Sequence, residues 1–187
     1  MLFHLINITR ASDERLMADG SEQAFAELYR RYARRLQTFL LRQLGGDREL
    51  AADFCHDTFL RIYDARRSYN ADRPFRTWLF TVAYNLCKNR YRHQQVEAEA
   101  MAMIGRQPDV ELPDAELRID RRQLDDALRT VLDRLPAEAR LLFALRFEEE
   151  LSVAETAAVM QLPEGTVKSR QHKIMNHIKQ QLSRMLQ

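Results

Sequence analysis

The sequence predicts an all-α chain built as two small helical domains, and three observations carry that prediction. Glycine and proline are scarce, five of each in 187 residues, so most of the chain can run in uninterrupted helices. Apolar residues recur three and four apart on both sides of one acidic stretch, the spacing of amphipathic helices. Charge is also partitioned behind a net of +2. Residues 21–93 hold fourteen Lys/Arg against eight Asp/Glu, and residues 164–187 hold five against one. Residues 94–120 hold two against seven. Two basic blocks joined by an acidic strap imply two surfaces that face polyanions and a connection that avoids them. The expected division is an N-terminal arm over 1–20, a first domain over 21–93, a linker over 94–120 and a second domain over 121–187.

Residues Met1 to Ile8 are apolar but show neither a basic leader nor a cleavage site, so they read as a loose arm or a read-through rather than a signal peptide. Ser21 can cap the first helix, with Glu22 in its opening turn and Gly45-Gly46 at its end. Its core stripe is Phe25, Leu28, Tyr29, Tyr32, Leu36, Phe39 and Leu40, while Arg30, Arg31, Arg34 and Arg35 read mostly as a solubilising face. Asp47 caps a second helix running to about Arg66, with Leu50, Phe54, Thr58 and Ile62 inward. Glu49, Asp53, Asp57 and Arg61 form an outer row at four-residue spacing. A carboxylate row repels DNA, so it is either solvated or docks a basic protein surface. His56 beside Cys55 lacks the accompanying ligands of a metal site and reads as structural.

A polar loop, Ser68-Tyr-Asn-Ala-Asp-Arg73, leads to a third helix opened by Pro74. Phe75, Trp78, Leu79, Val82 and Leu86 make its buried stripe, and Thr81, Asn85, Lys88 and Arg92 make a polar, cationic face. An amide among cations can read base edges and hold phosphates, although an ordinary solvated face has the same pattern. Past the acidic linker, with transient helix expected at Glu97–Met103, Leu124, Leu128, Val131, Leu132 and Leu135 begin the second domain. Pro136 opens a helix carrying Leu141, Leu142 and Leu145, and Ser152-Val-Ala-Glu155 is a capping box. After the turn Gln161-Leu-Pro163, a last helix points Val167, Ile174, Ile178, Leu182 and Met185 to the core. Helix, tight turn and a second helix with a hydroxyl-rich, cationic first half make a helix-turn-helix, with Gln161 where glycine is common.

Cys55 and Cys87 sit inside helical patterns and read as buried apolar residues in a reducing compartment. No apolar run approaches the roughly eighteen residues of a membrane span, so the expectation is a soluble, cytoplasmic protein without metal, cofactor or catalytic residues.

Asp53-Phe-Cys-His-Asp-Thr-Phe-Leu-Arg-Ile-Tyr63, Phe75-Arg-Thr-Trp-Leu-Phe-Thr-Val-Ala-Tyr-Asn-Leu86, Leu135-Pro, Leu151-Ser-Val-Ala-Glu-Thr-Ala-Ala-Val-Met160 and Pro163-Glu-Gly-Thr-Val-Lys-Ser-Arg170, in that order, resemble bacterial RNA polymerase sigma factors of the extracytoplasmic-function group. The resemblance covers about residues 20–185. It implies a region 2 domain, a region 4 domain, and a protein that directs core polymerase to the −10 and −35 promoter elements. Helix 47–66 resembles the main polymerase-clamp helix, which implies core binding by Glu49, Asp53, His56 and Asp57. Ser68, Tyr69, Asn70, Arg73, Arg76, Asn85, Lys88 and Arg92 match the part that takes the −10 element, where a flipped base enters a pocket. Thr166, Lys168, Ser169, Arg170, His172 and Lys173 fall where the family reads the −35 element. Expected partners are core RNA polymerase, duplex promoter DNA, flipped or single-stranded −10 DNA, and an anti-sigma factor. Ala52 and His56 stand where the family often has Glu and Gln, and Gln171-His-Lys-Ile-Met-Asn-His177 replaces an Arg-rich run. The competing reading is a stand-alone helix-turn-helix regulator with a sensing or dimerising first domain. A metal-dependent hydrolase on Glu49, Asp53, His56 and Asp57 would need a second histidine there.

Overall fold

The computed structural model describes the backbone of residues 8–103 and 121–185 and the side chains of 8–96 and 124–185, and every regular element among them is helical. Most of the stretch expected to be a linker lies outside the described residues.

Of the expected N-terminal arm, residues 1–7 lie outside the described residues, and the rest carries a helix. Helix α1 spans Asp13–Asp19, opened by Ser12, whose hydroxyl accepts the Arg15 N–H at 3.2 Å, and closed by left-handed Gly20. It buries Leu16 and Met17, and two such positions are too few to show a helical period in a sequence. The Arg31 guanidinium pins the segment, donating to the Asp13 carboxylate at 2.7 Å and to the carbonyls of Ala11 and Thr9.

Helix α2 (Glu22–Gln43) starts at the Ser21 cap and α3 (Arg48–Ala65) at the Asp47 cap, whose carboxylate accepts the Leu50 N–H at 3.0 Å. Leu28, Leu36, Phe39 and Leu40 of α2 meet Ala51, Cys55, Phe59 and Ile62 of α3 in the first core. Tyr29, expected inside, is 45% exposed and leans on the Phe59 ring. Leu50 and Phe54 are only half-buried. A single turn at Arg66–Ser68 leads through the polar loop to α4, Phe75–Met103. This helix runs on as one element through the expected domain boundary.

Phe75 and Leu79 are fully buried on the expected stripe, with Trp78 and Val82 partly so. Phe80, Ala83, Tyr84 and Cys87 are buried as well. A helix with apolar residues all round is covered on more than one side. Here the second cover is the other lobe, which lies against α4.

That lobe comprises α5 (Arg121–Asp133), α6 (Ala137–Phe143), α7 (Val153–Met160) and α8 (Glu164–Met185). The end of α6 widens into a π-helical turn over Ala144–Glu148, closed by Glu149 N–H to Ala144 carbonyl at 2.8 Å and Leu151 N–H to Leu145 carbonyl at 2.9 Å. Val131, Leu141, Leu145, Val159, Val167, Ile174 and Ile178 form its core, continuous with that of the first lobe. Leu124 and Met185, expected inside, are 42% and 44% exposed, because each sits in an end turn past its neighbours' reach.

The helix-turn-helix is α7 and α8. Ser152 and Glu155 complete the capping box: the hydroxyl accepts the Glu155 N–H at 3.1 Å and the carboxylate accepts the Ser152 N–H at 2.8 Å. Gln161 takes the left-handed conformation that glycine adopts without strain, at φ 55° and ψ 45°. Replacing Ser152 with Ala should lower unfolding free energy in urea by about 1 kcal/mol. Gln161→Gly should raise it by about 0.5 kcal/mol, relief of strain outweighing the added freedom of the unfolded chain.

Candidate nucleic-acid and polymerase interfaces

The loop before α4 is fixed by its own side chains. The Ser68 hydroxyl donates to the Ala65 carbonyl at 2.7 Å, and Asn70 Oδ1 accepts the Asp72 N–H at 2.9 Å. Tyr69 donates its hydroxyl to the Arg73 carbonyl, and its ring stacks on Trp78 with centroids 5.1 Å apart and planes at 26°. Burial, with help from Glu14 and Asp13, pushes the Tyr69 phenol up to about 12, so it stays a donor. Ser68, Asn70 and Arg73 are exposed on this frame. Along α4, Asn85 is half-exposed while Lys88 and Arg92 are open to solvent. Arg76 departs from this group. It is half-buried, and its guanidinium donates to the Glu149 carbonyl of the second lobe.

On α3, Glu49, Asp53 and His56 are exposed. Asp57 is half-buried and accepts from Arg61 Nε at 3.2 Å. Leu60 extends this face by one turn and is 48% exposed. The sequence reading passed over it, yet its position three and four residues after Asp57 and His56, off the inward stripe, was a usable signal. Among the described residues no group of three or more His, Cys, Asp or Glu could hold a metal ion. Burial pushes the Cys55 and Cys87 thiols up to about 11 and about 12, which leaves both protonated.

On α8, Lys168, Ser169, His172 and Lys173 are exposed and Thr166 is half-buried. Lys168 lies 3.9 Å from Glu164, Ser169 donates to the Thr166 carbonyl at 3.0 Å, and the His172 ring meets the Asn176 amide at 2.9 Å. Arg170 is paired with Glu138 at 2.8 Å. That pair lies close enough to bias the buried Tyr84 of α4, so the −35 candidate surface begins beside the first lobe.

Between the lobes, Glu148 and Glu149 follow the π-helical turn into a patch of arginines. Arg42 pairs with Glu148, and Arg35 Nε donates to the Glu149 carboxylate, which is 5% exposed. Arg35 is therefore an interlobe contact, and Arg31 an anchor for α1, rather than solubilising charges. Arg140 donates to the Tyr91 hydroxyl at 3.3 Å, and Thr77 donates to Glu155 at 3.5 Å. Burial holds the Glu149 carboxyl above its ordinary value, against the pull of Arg35 and Arg76.

Comparison with known proteins places these surfaces in a family. Residues 28–97 match sigma-70 region 2, and residues 131–180 match sigma-70 region 4. The ECF RNA polymerase sigma-E factor of Escherichia coli (strain K12) is 30% identical over 162 residues, 81% of this chain and 82% of that protein. The chain is an extracytoplasmic-function sigma factor of the sigma-70 family. The ECF RNA polymerase sigma factor SigW of Bacillus subtilis (strain 168) is 29% identical over 174 residues, 87% of this chain and 91% of SigW. The solved structure of CnrH, in complex with the cytosolic domain of CnrY, has the same fold, with a TM-score of 0.68, 23% identity, and coverage of 92% of this chain and 98% of that one. So does the sigma factor RpoE of Bartonella quintana, in complex with the anti-sigma factor NepR, at a TM-score of 0.65, 20% identity, and coverage of 85% and 96%. This sigma factor thus binds core RNA polymerase and directs promoter-specific initiation, and the stand-alone regulator is not favoured. Among its described residues no helix is long and apolar enough to cross a membrane.

The lobe contact should depend on pH, because Glu149 faces Arg35 and Arg42 of α2, Arg76 of α4 and its neighbour Glu148. A folded value raised above the unfolded one gives stability that is whole below the ordinary carboxylate value and lost as pH rises through the raised one. Lowering pH from above the raised value to the ordinary carboxylate range should tighten the contact, read as a smaller radius of gyration in X-ray scattering. Glu149→Gln, which keeps the acceptor and removes the charge, should abolish the change.

Proposed function

We propose that this sigma factor divides promoter recognition between two cationic faces and anchors itself to core polymerase by a third, acidic one. The supporting observation is the placement of exposed side chains: an amide and cations on α4, hydroxyls and cations on α8, and carboxylates on α3.

In this reading Ser68, Tyr69, Asn70, Arg73 and Arg76 shape the pocket for a flipped −10 base. Asn85 reads a base edge there, and Lys88 and Arg92 hold phosphates. The Tyr69–Trp78 stack braces the loop, which supports a role for Trp78 beneath the pocket over one inside the duplex. Unstacking a base costs a few kcal/mol, and polar contacts to its edge offset this. Thr166, Lys168, Ser169, Arg170, His172 and Lys173 contact the −35 duplex from the major groove. Glu49, Asp53, His56 and Asp57 meet a basic polymerase surface, with Leu60 supplying the apolar centre such interfaces need. The chain makes and breaks no bonds, acts in the cytoplasm without a cofactor, and joins domains 21–93 and 121–187 by a strap, expected over 94–120, whose first part is the end of α4 up to Met103. CnrH and RpoE were each solved with a bound protein, NepR being an anti-sigma factor, which supports an anti-sigma partner for this chain too.

Run-off transcription with core polymerase on a randomised promoter library tests the whole reading, with a defined pair of elements as the expected result. Asp57→Ala and Leu60→Ala should each weaken core-polymerase binding about tenfold in a titration, a typical cost for an interface residue that matters. Neither should change affinity for isolated −35 duplex. Asn85→Ala should relax selectivity at one −10 position with core binding intact, whereas equal loss at every promoter contradicts a base contact. Lys173→Ala should weaken −35 binding for all sequences alike and lower the salt slope by about one unit.

A further inference from the structure

We propose that the arginine groove on α2 is a second DNA-binding surface, for backbone phosphates of the single-stranded promoter, and that the protein's own Glu148 and Glu149 keep its arginines engaged until the lobes part. The groove encloses about 570 Å³ and is lined by Arg31, Arg34, Arg35 and Arg42 with Thr38 and Phe39 on one side and the two glutamates on the other. Four guanidinium groups along one helix face are more than two carboxylates need. Arg31 is committed to α1, Arg35 and Arg42 reach the glutamates, and Arg34 stands exposed.

Phosphate is the occupant this chemistry fits, because guanidinium groups bind carboxylate and phosphate oxygens with the same fork. The groove also adjoins the −10 surface: Arg35 and Arg76, from α2 and α4, converge on Glu149. A strand whose backbone leaves the loop Ser68–Arg73 past Arg76, at the start of α4, would continue onto Arg35, Arg34 and Arg42. In the closed molecule the acidic turn takes that place and engages Arg76 as well. The glutamates are thus an internal stand-in for phosphate and a latch on the −10 surface. This extends the −10 reading above and rests on it.

The test is fluorescence anisotropy with a labelled single-stranded −10 oligonucleotide and the full chain, without polymerase, over a range of salt. Removing both carboxylates, as Glu148→Ala with Glu149→Ala, should tighten binding about tenfold if nine molecules in ten are closed, since affinity scales with the competent fraction. The slope of log affinity on log salt should steepen by about 0.7 for each phosphate gained. Adding Arg34→Ala and Arg42→Ala should reverse both effects, while circular dichroism shows the helices retained. Glu149→Gln, which keeps an acceptor for Arg35, should stay closed and bind weakly. No gain on carboxylate removal would overturn the competition, and a gain indifferent to Arg34 and Arg42 would overturn the groove as a phosphate site. Asn85→Ala in the opened variant separates the two readings: lost base preference with the salt slope kept is expected. Base preference that ignores Asn85 would count against the −10 assignment and leave the groove standing.

Discussion

A carboxylate taken out of water must find cations or give up its charge, and Glu149 meets that demand at the meeting point of two lobes. Its side chain accepts from Arg35 while its carbonyl accepts from Arg76, so α2 and α4 of the first lobe are both tied to the end of the π-helical turn. The extra residue in that turn sets where the acidic segment emerges, and Glu150 follows in the left-handed region with φ at 52°. Leu151, fully buried just beyond, and the capping box at Ser152 then start the helix-turn-helix. The position of α7 and α8 therefore follows from how one buried charge is satisfied.

Apolar burial and the desolvated charge of Glu149 pull in opposite directions here. Tyr84 and Cys87 would lose cover on one side of α4 if the second lobe moved away, and water would reach Glu149 at the same moment. Uncovering aromatic and aliphatic surface costs about 25 cal/mol per Å², whereas re-solvating a strained carboxylate returns part of that cost. The two terms oppose each other on opening.

Much of this was legible in the chain. Ser21, Asp47 and Ser152 announced helix starts because a cap is a local bond between residues three apart. The helix-turn-helix and the polar loop were legible for the same reason, and the order of the motifs gave the family. What the sequence hid was relational. Tyr84 lies off the expected stripe of α4 and is buried beside Glu138 and Arg170 of the second lobe, and Arg35 looked like a surface charge until Glu149, 114 positions away, reached it. Arg76 read as a candidate DNA ligand, and nothing near it in the chain pointed to its interlobe bond with Glu149. Leu60 was overlooked although its place one turn beyond His56 and Asp57, off the inward stripe, marked it for the same face.

Lobe contact in the free protein is the claim on which the rest turns, and pulsed dipolar spectroscopy measures it most directly. Spin labels at Asp64→Cys and His177→Cys report one distance across the molecule, and the buried thiols of Cys55 and Cys87 leave the native cysteines unreactive. A single narrow distance in the free protein, lengthening when core polymerase is added, is the result this account predicts. A broad distribution in the free protein, unchanged by polymerase, would contradict it.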